Sequence, residues 1–363
     1  MANTIRVLCI DGGGMRGVYT CAYLDRLIKQ FERRRSTDEL DFGSAFDLIS
    51  GTSTGGIIAC GLAQGMPVGR IQALYHENGS EIFPLKMPDG IGIDLGKQLF
   101  TRSKAIEAGA AALEKILRKE LKDETIRGVY ERRGIALAIP AVEMSRHRAW
   151  VFKTPHLGGH RDDNFSLVDV CMATSAAPLY RSLAEIEDPD DPHRSYVFAD
   201  GGLWANNPVL VGLIDALRMT VSGDRIEIYS LGTCPRPAGE VETDLDGGIH
   251  RGLAGWKFGG DAAVLALDAQ ESAYDHMARM LAHHVERECR IVRFPHGSLP
   301  ASAMPYLDLD ETSAAAMRVL VEQAKQDVDL TLSVCDDHTN SEGQMLKALM
   351  EIVPVFGSQE TGR

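Results

Sequence analysis

The chain has 363 residues, a formal net charge of −13 at neutral pH and a pI near 5.3. That balance argues against binding the backbone of a nucleic-acid polymer and against long-range attraction to an anionic bilayer. Hydrophobic residues make up 44% and charged residues 25%, a globular composition, long enough for one large α/β domain with an appendage or for two domains.

Seven cysteines are scattered without C-x-x-C spacing, which points to buried thiols and away from a disulfide framework or a zinc site. No window approaches 18 consecutive apolar residues and the first residues carry no basic-then-apolar leader, so a cytoplasmic location is expected.

The first element is a strand over residues 6–10. It runs into Asp11-Gly12-Gly13-Gly14-Met15-Arg16-Gly17 and then a helix over 18–31, where Leu24, Leu27, Ile28 and Phe31 form an apolar stripe. The glycine loop has two readings. Gly12-x-Gly14-x-x-Gly17 fits a dinucleotide fingerprint between strand and helix, and would make the chain a non-catalytic nucleotide-binding sensor. Alternatively, its backbone N–H groups, at a helix N-terminus, face an oxyanion formed during acyl transfer. The second reading is favoured. A dinucleotide site wants an acid closing the second strand, but the strand over 46–49 leads into Ser50-Gly51-Thr52-Ser53 and its acid, Asp47, lies inside it.

Gly51-Thr52-Ser53-Thr54-Gly55 is the pattern of a nucleophile elbow. A strand turning straight into a helix strains the serine's backbone, and side chains two residues away on either side would collide. The helix expected over 54–62 sets its positive end near the Ser53 hydroxyl.

Helices follow at 67–78 and, capped by Ser103, at 103–122. Between them, residues 82–96 are rich in proline and glycine yet apolar, and read as a loop folded over the core or as a lipid-contacting lid bearing Ile91 and Ile93. Strands are expected at 135–142 and 149–153, joined by a basic turn, Arg146-His147-Arg148. Ser166 caps a helix to 171, which ends near Ala173-Thr174-Ser175-Ala176-Ala177-Pro178.

The acidic stretch 185–194 reads as a surface loop. A strand over 196–200 then ends in Asp200-Gly201-Gly202, and a carboxylate at a strand's C-terminal end is where open α/β sheets carry chemistry. A helix from Asn206 to Met219 and a strand over 226–231 follow. Beyond Thr243 the texture becomes glycine-rich, then helical at 261–284, with a strand at 289–294 and helices at 311–330 and 341–352. This divides the chain into 1–242 and 243–363.

The glycine loop, the Gly-x-Ser-x-Gly elbow and Asp200-Gly201-Gly202, in this order, resemble the patatin-like phospholipase family, and 173–178 resembles a further block of it. The resemblance implies a three-layer α/β/α fold with a central, mostly parallel sheet and a mainly helical C-terminal extension packed on it. It implies a Ser-Asp dyad with Ser53 as nucleophile and Asp200 as its base. The N–H groups of Gly12, Gly13 and Gly14 would form the oxyanion hole, with Arg16, Gly51, Gly55, Gly201 and Gly202 in support.

The substrates implied are fatty acyl esters of membrane phospholipids, cleaved without cofactor or metal. No histidine is expected as a third member, since none of those after Asp200 stands in a comparable motif. The compact layout and the continuation Met15-Arg16-Gly17-Val18-Tyr19-Thr20 are similar to bacterial antiphage effectors switched on by a cyclic oligonucleotide. That similarity implies a cyclic di- or oligonucleotide activator, homo-oligomers and transient contact with the inner membrane surface. Arg146, Arg148, Arg251, Lys257 and Arg279 are the cations considered for such an activator.

Overall fold

Residues 7–10 of the first strand are all inaccessible to solvent, as expected of a strand covered on both faces. A computed structural model describes residues 3–87, 93–234, 259–295 and 301–357, with 250, 252, 256 and 299. Its strands are β1 (Thr4–Ile10), β2 (Leu48–Gly51), β3 (Ala136–Glu143), β4 (Arg148–Lys153), β5 (Ala184–Asp188), β6 (Asp191–Asp200), β7 (Arg225–Leu231) and β8 (Glu288–Phe294). They form one sheet in the order β5-β6-β3-β2-β1-β7-β8, with β4 also paired to β3. From β3 across to β8 the pairings are parallel, whereas β4, β5 and β6 join antiparallel.

The helices are α1 (Gly17–Arg35), α2 (Thr54–Gln64), α3 (Val68–Ile82), α4 (Ile93–Leu121), α5 (Ile126–Arg133), α6 (Leu167–Thr174), α7 (Gly202–Ala205), α8 (Val209–Met219), α9 (Gly260–His284), α10 (Ala314–Asp336) and α11 (Ser341–Ile352). Alternation along β1 sorts the layers. Leu8 and Ile10 join one apolar cluster with the α1 stripe Leu24, Leu27, Ile28 and Phe31. Val7 and Cys9 face the other way, against Val209, Leu213 and Ala216 of α8. A period of two in the strand thus meets helices on both sides, giving an α/β/α sandwich.

The chain beyond residue 259 is built into this frame. β8 pairs along the whole of β7. α10 lies on α1, where the Tyr19 hydroxyl donates to Asp327 Oδ2 at 2.5 Å and the hydroxyls of Tyr23 and Thr331 lie 2.7 Å apart.

Several elements differ from the sequence expectation. Ser103 lies inside α4, which already begins at Ile93. The stretch 185–194 forms the β5–β6 hairpin, because Ala184 and Ile186 point inward between exposed Glu185 and Glu187. α5, capped by the Thr125 hydroxyl accepting from Gly128, and the single turn of α7 had no sequence signal strong enough to name. Ile91, Arg251 and Lys257 lie outside the described residues, and of Ile93 only the backbone is described. Among the described residues no helix is long and apolar enough to cross a membrane, and no cluster of His, Cys, Asp and Glu is arranged to hold a metal.

Candidate active site

β1 and β2 run parallel with Ile10 opposite Gly51, so the loops leaving them emerge side by side. At the second of these corners Ser53 adopts φ 55° and ψ −124°, which a residue with a side chain holds only where its surroundings enforce it. Thr174 Oγ1 accepts the Ser53 N–H at 3.0 Å, and Thr52 Oγ1 donates to Ala205 O at 2.6 Å. The Ser53 carbonyl accepts from Gly56 and Ile57 and so starts α2. A Cβ on Gly51 would lie 2.2 Å from Gly55 O, and one on Gly55 would lie 2.3 Å from Ile10 O. Both positions must therefore be glycine.

Asp200 closes β6, opposite Ala141 of β3. The Ser53 hydroxyl donates to its Oδ2 at 2.7 Å, and the Gly202 N–H donates to its Oδ1 at 2.7 Å. The carboxyl is 5% exposed. Burial pushes its pKa up to about 6, opposed by the Ser53 and Gly202 hydrogen bonds and the Arg181 charge.

Thr174 connects the two halves of the site. It holds Ser53 N, donates to Pro140 O at 2.6 Å, and its carbonyl accepts from Gly201 at 3.2 Å. A Cβ on Gly201 would lie 2.3 Å from Pro140 O, so this close packing of α6, β3 and β6 needs glycine there too.

The glycine loop lies across the mouth of the elbow. Gly12 N–H donates to Asn206 O at 3.0 Å, so of the three amides expected for an oxyanion hole this one is already engaged in holding the loop. The amides of Gly13 and Gly14 donate to no described backbone acceptor, and both residues line the cavity that holds Ser53. Gly14 has φ +53°, and its carbonyl accepts from the Thr54 hydroxyl at 2.8 Å. Arg16 is buried, and its own N–H donates to Gly13 O at 3.0 Å.

Added Cβ atoms on Gly12, Gly13 and Gly14 would meet Asn206, Thr233 and Leu309 at 2.5, 2.6 and 2.3 Å. These faces of the loop are filled by protein, which leaves no berth there for a pyrophosphate.

Beneath the loop, Arg293 of β8 places Nη2 2.5 Å from both Asp11 and Glu271. Asp11 is fully buried; burial pushes its carboxyl up to about 7 against the pull of Arg293. Sequence reasoning missed Arg293. Its one signal was a basic residue in an otherwise apolar strand end, Ile291-Val292-Arg293-Phe294.

The cavity over Ser53 holds about 170 Å3. Its lining is apolar at Leu203 and at Ala263, Ala266 and Leu267 of α9, and also includes Tyr75, Phe83 and Arg181. Its described lining contains no histidine. The cations weighed for an activator lie elsewhere. Arg146 and Arg148 are exposed on the β3–β4 turn, and Arg279 pairs with Asp275 at 2.9 Å.

Comparison with known proteins points to one family. A family model described as patatin-like phospholipase matches residues 8–213. A protein of Pseudomonas aeruginosa named cGAMP-activated phospholipase is 34% identical over 281 residues, 76% of this chain and 75% of that one. A protein of Vibrio cholerae with the same name is 29% identical over 337 residues, covering 90% and 91%. A cUMP-AMP-activated phospholipase of Escherichia coli is 28% identical over 246 residues, covering 65% and 67%.

Proposed function

The chain belongs to the patatin-like phospholipase family, and on that premise we propose that it is a phospholipase A that cleaves fatty acyl esters of membrane phospholipids through a Ser53–Asp200 dyad. The observation that carries this reading is the 2.7 Å hydrogen bond from Ser53 Oγ to Asp200 Oδ2 at a strained elbow.

Asp200 takes the hydroxyl proton as Oγ attacks the acyl carbon. The negative charge that develops on the carbonyl oxygen is met by the Gly13 and Gly14 amides, each such donor being worth roughly 10²–10³-fold in rate. The alkoxide leaves with the proton from Asp200, and water then releases the fatty acid from Ser53 by the same steps in reverse. A carboxyl near pKa 6 is a better base than an ordinary aspartate, about 3.9 in water.

Three relatives carry names that make them phospholipases activated by cGAMP or cUMP-AMP. They support a cyclic di- or oligonucleotide as activator here; we further propose an antiphage role, exercised from the cytoplasm at the inner membrane surface by a homo-oligomer. The test is labelling by a fluorophosphonate probe and hydrolysis of phosphatidylcholine vesicles, each with and without a panel of cyclic dinucleotides. Wild type should be labelled, Ser53→Ala should not, and one cyclic dinucleotide should raise hydrolysis at least tenfold. Equal labelling of Ser53→Ala would overturn the nucleophile; rates unchanged across the panel would overturn the activator.

A further inference from the structure

Among the described residues Arg181 has no counter-ion, in a place where that is costly. Its side chain is 7% exposed and its Nε is buried without a hydrogen-bond partner. Burial lowers its pKa to about 10. The nearest carboxylate does not satisfy it, because Asp200 commits Oδ2 to Ser53 and Oδ1 to Gly202. A buried cation is ordinarily paired.

Near it in the lining of the same cavity, the buried Tyr75 hydroxyl also makes no hydrogen bond of good geometry. Thr54, which donates its own hydroxyl to Gly14 O, is the side chain that approaches it as an acceptor. The Arg181 guanidinium, with Nε unmatched, and the Tyr75 hydroxyl therefore line one cavity.

The backbone leading to Arg181 is held in place by hydrogen bonds on either side. Leu179, two residues earlier, has φ 74°, a strained conformation for a leucine. The Arg102 guanidinium clamps the Leu179 carbonyl at 2.8 and 3.0 Å, and Arg181 N–H donates to Ala177 O at 2.8 Å. Phe83 lies 5.8 Å from the guanidinium carbon and shields one side of it.

We propose that Arg181 and Tyr75 form an anion subsite that binds the phosphate of the lipid substrate while its acyl chain lies along Leu203 and Leu267. This deepens the phospholipase reading and rests on it. One cavity would then take the anionic group at Arg181 and Tyr75, the acyl chain at Leu203 and Leu267, and the ester at Ser53. Arginine suits the task because its planar fork matches phosphate oxygens two at a time.

The test pairs binding with turnover in wild type, Arg181→Gln, Arg181→Lys and Tyr75→Phe, with thermal melts to confirm folding. Octylphosphocholine, octanoate and octyl glucoside, each below its micelle concentration, are titrated by calorimetry. Affinity for octylphosphocholine should fall about 10- to 100-fold in Arg181→Gln, the range for a lost charged hydrogen bond, and be partly restored by Arg181→Lys. Octyl glucoside should lose less than about threefold.

For the activated enzyme, kcat/KM on dihexanoyl phosphatidylcholine should fall at least about tenfold more than on p-nitrophenyl butyrate. Equal losses on the two esters would overturn the subsite and make Arg181 a tuner of Asp200. An octanoate loss matching that of octylphosphocholine would overturn the phosphate assignment in favour of the product carboxylate. Wild type that cleaves no phospholipid yet binds octylphosphocholine through Arg181 would sink the phospholipase reading and leave the anion subsite standing.

Discussion

Ser53 and Asp200 lie 147 residues apart, with a hydrogen bond between them. Each was legible alone, because the constraint that marks it is local. The elbow needs glycine two residues either side of the serine, and the acid needs glycine where β6 passes Pro140. Thr174, Arg181 and Arg293 were not legible in these roles, since their partners come from other elements and no spacing announces them. The first prediction is that Ser53→Ala and Asp200→Asn each lower ester hydrolysis about a thousandfold or more, with circular dichroism unchanged. The pH dependence has a definite sign. Asp200 must be ionised to act as base, so kcat/KM should fall as pH drops through about 6. Because its folded pKa is raised above the unfolded value of 3.8, its contribution to stability runs the other way. That contribution is complete below the unfolded pKa and is lost as pH rises through about 6. A flat rate profile between pH 5 and 7 would exclude Asp200 as the base.

The glycine loop is fixed from below by a strand from the far end of the chain. β8 places Arg293 between Asp11, the residue that opens the loop, and Glu271 of α9. Removing the guanidinium leaves the buried Asp11 carboxylate and the partly buried Glu271 carboxylate without their shared cation. Arg293→Gln should therefore cost about 3–5 kcal/mol, the range for breaking a buried ion pair, read as a lower urea midpoint. The deficit should shrink from pH 7.5 to 5, since protonating Asp11, whose carboxyl burial pushes up to about 7, removes the repulsion that the substitution exposes. A deficit that stays constant over that range would mean that Arg293 contributes packing alone. At this scale the long periodic elements were readable, as the α1 stripe and the β1 alternation show. The β5–β6 hairpin was not, because its alternating inward Ala184 and Ile186 are masked by the run of acids around them. The start of α4 was obscured by the prolines and glycines before it.

On the whole molecule, a charge of −13 works against approach to an anionic bilayer, so an enzyme acting on membrane lipid needs apolar contact at the cavity mouth. Leu179 and Leu203 line the cavity and are 47% and 53% exposed. Leaving them half in water is unfavourable for the isolated protein and favourable once hydrocarbon covers them. Burying the exposed half of one leucine is worth about 1 kcal/mol, or roughly fivefold in binding. Leu179→Ser and Leu203→Ser should each lower hydrolysis of phosphatidylglycerol-containing vesicles about fivefold or more, and lower that of a soluble short-chain ester less. Salt supplies the discriminating measurement. Between about 0.05 and 0.5 M the screening length falls from well over 10 Å to a few ångströms. Repulsion between an acidic protein and an anionic vesicle is then removed, so wild-type hydrolysis should hold steady or rise. A collapse of the rate with salt would mean that a local cationic patch docks the enzyme against its net charge, and that the two leucines do not.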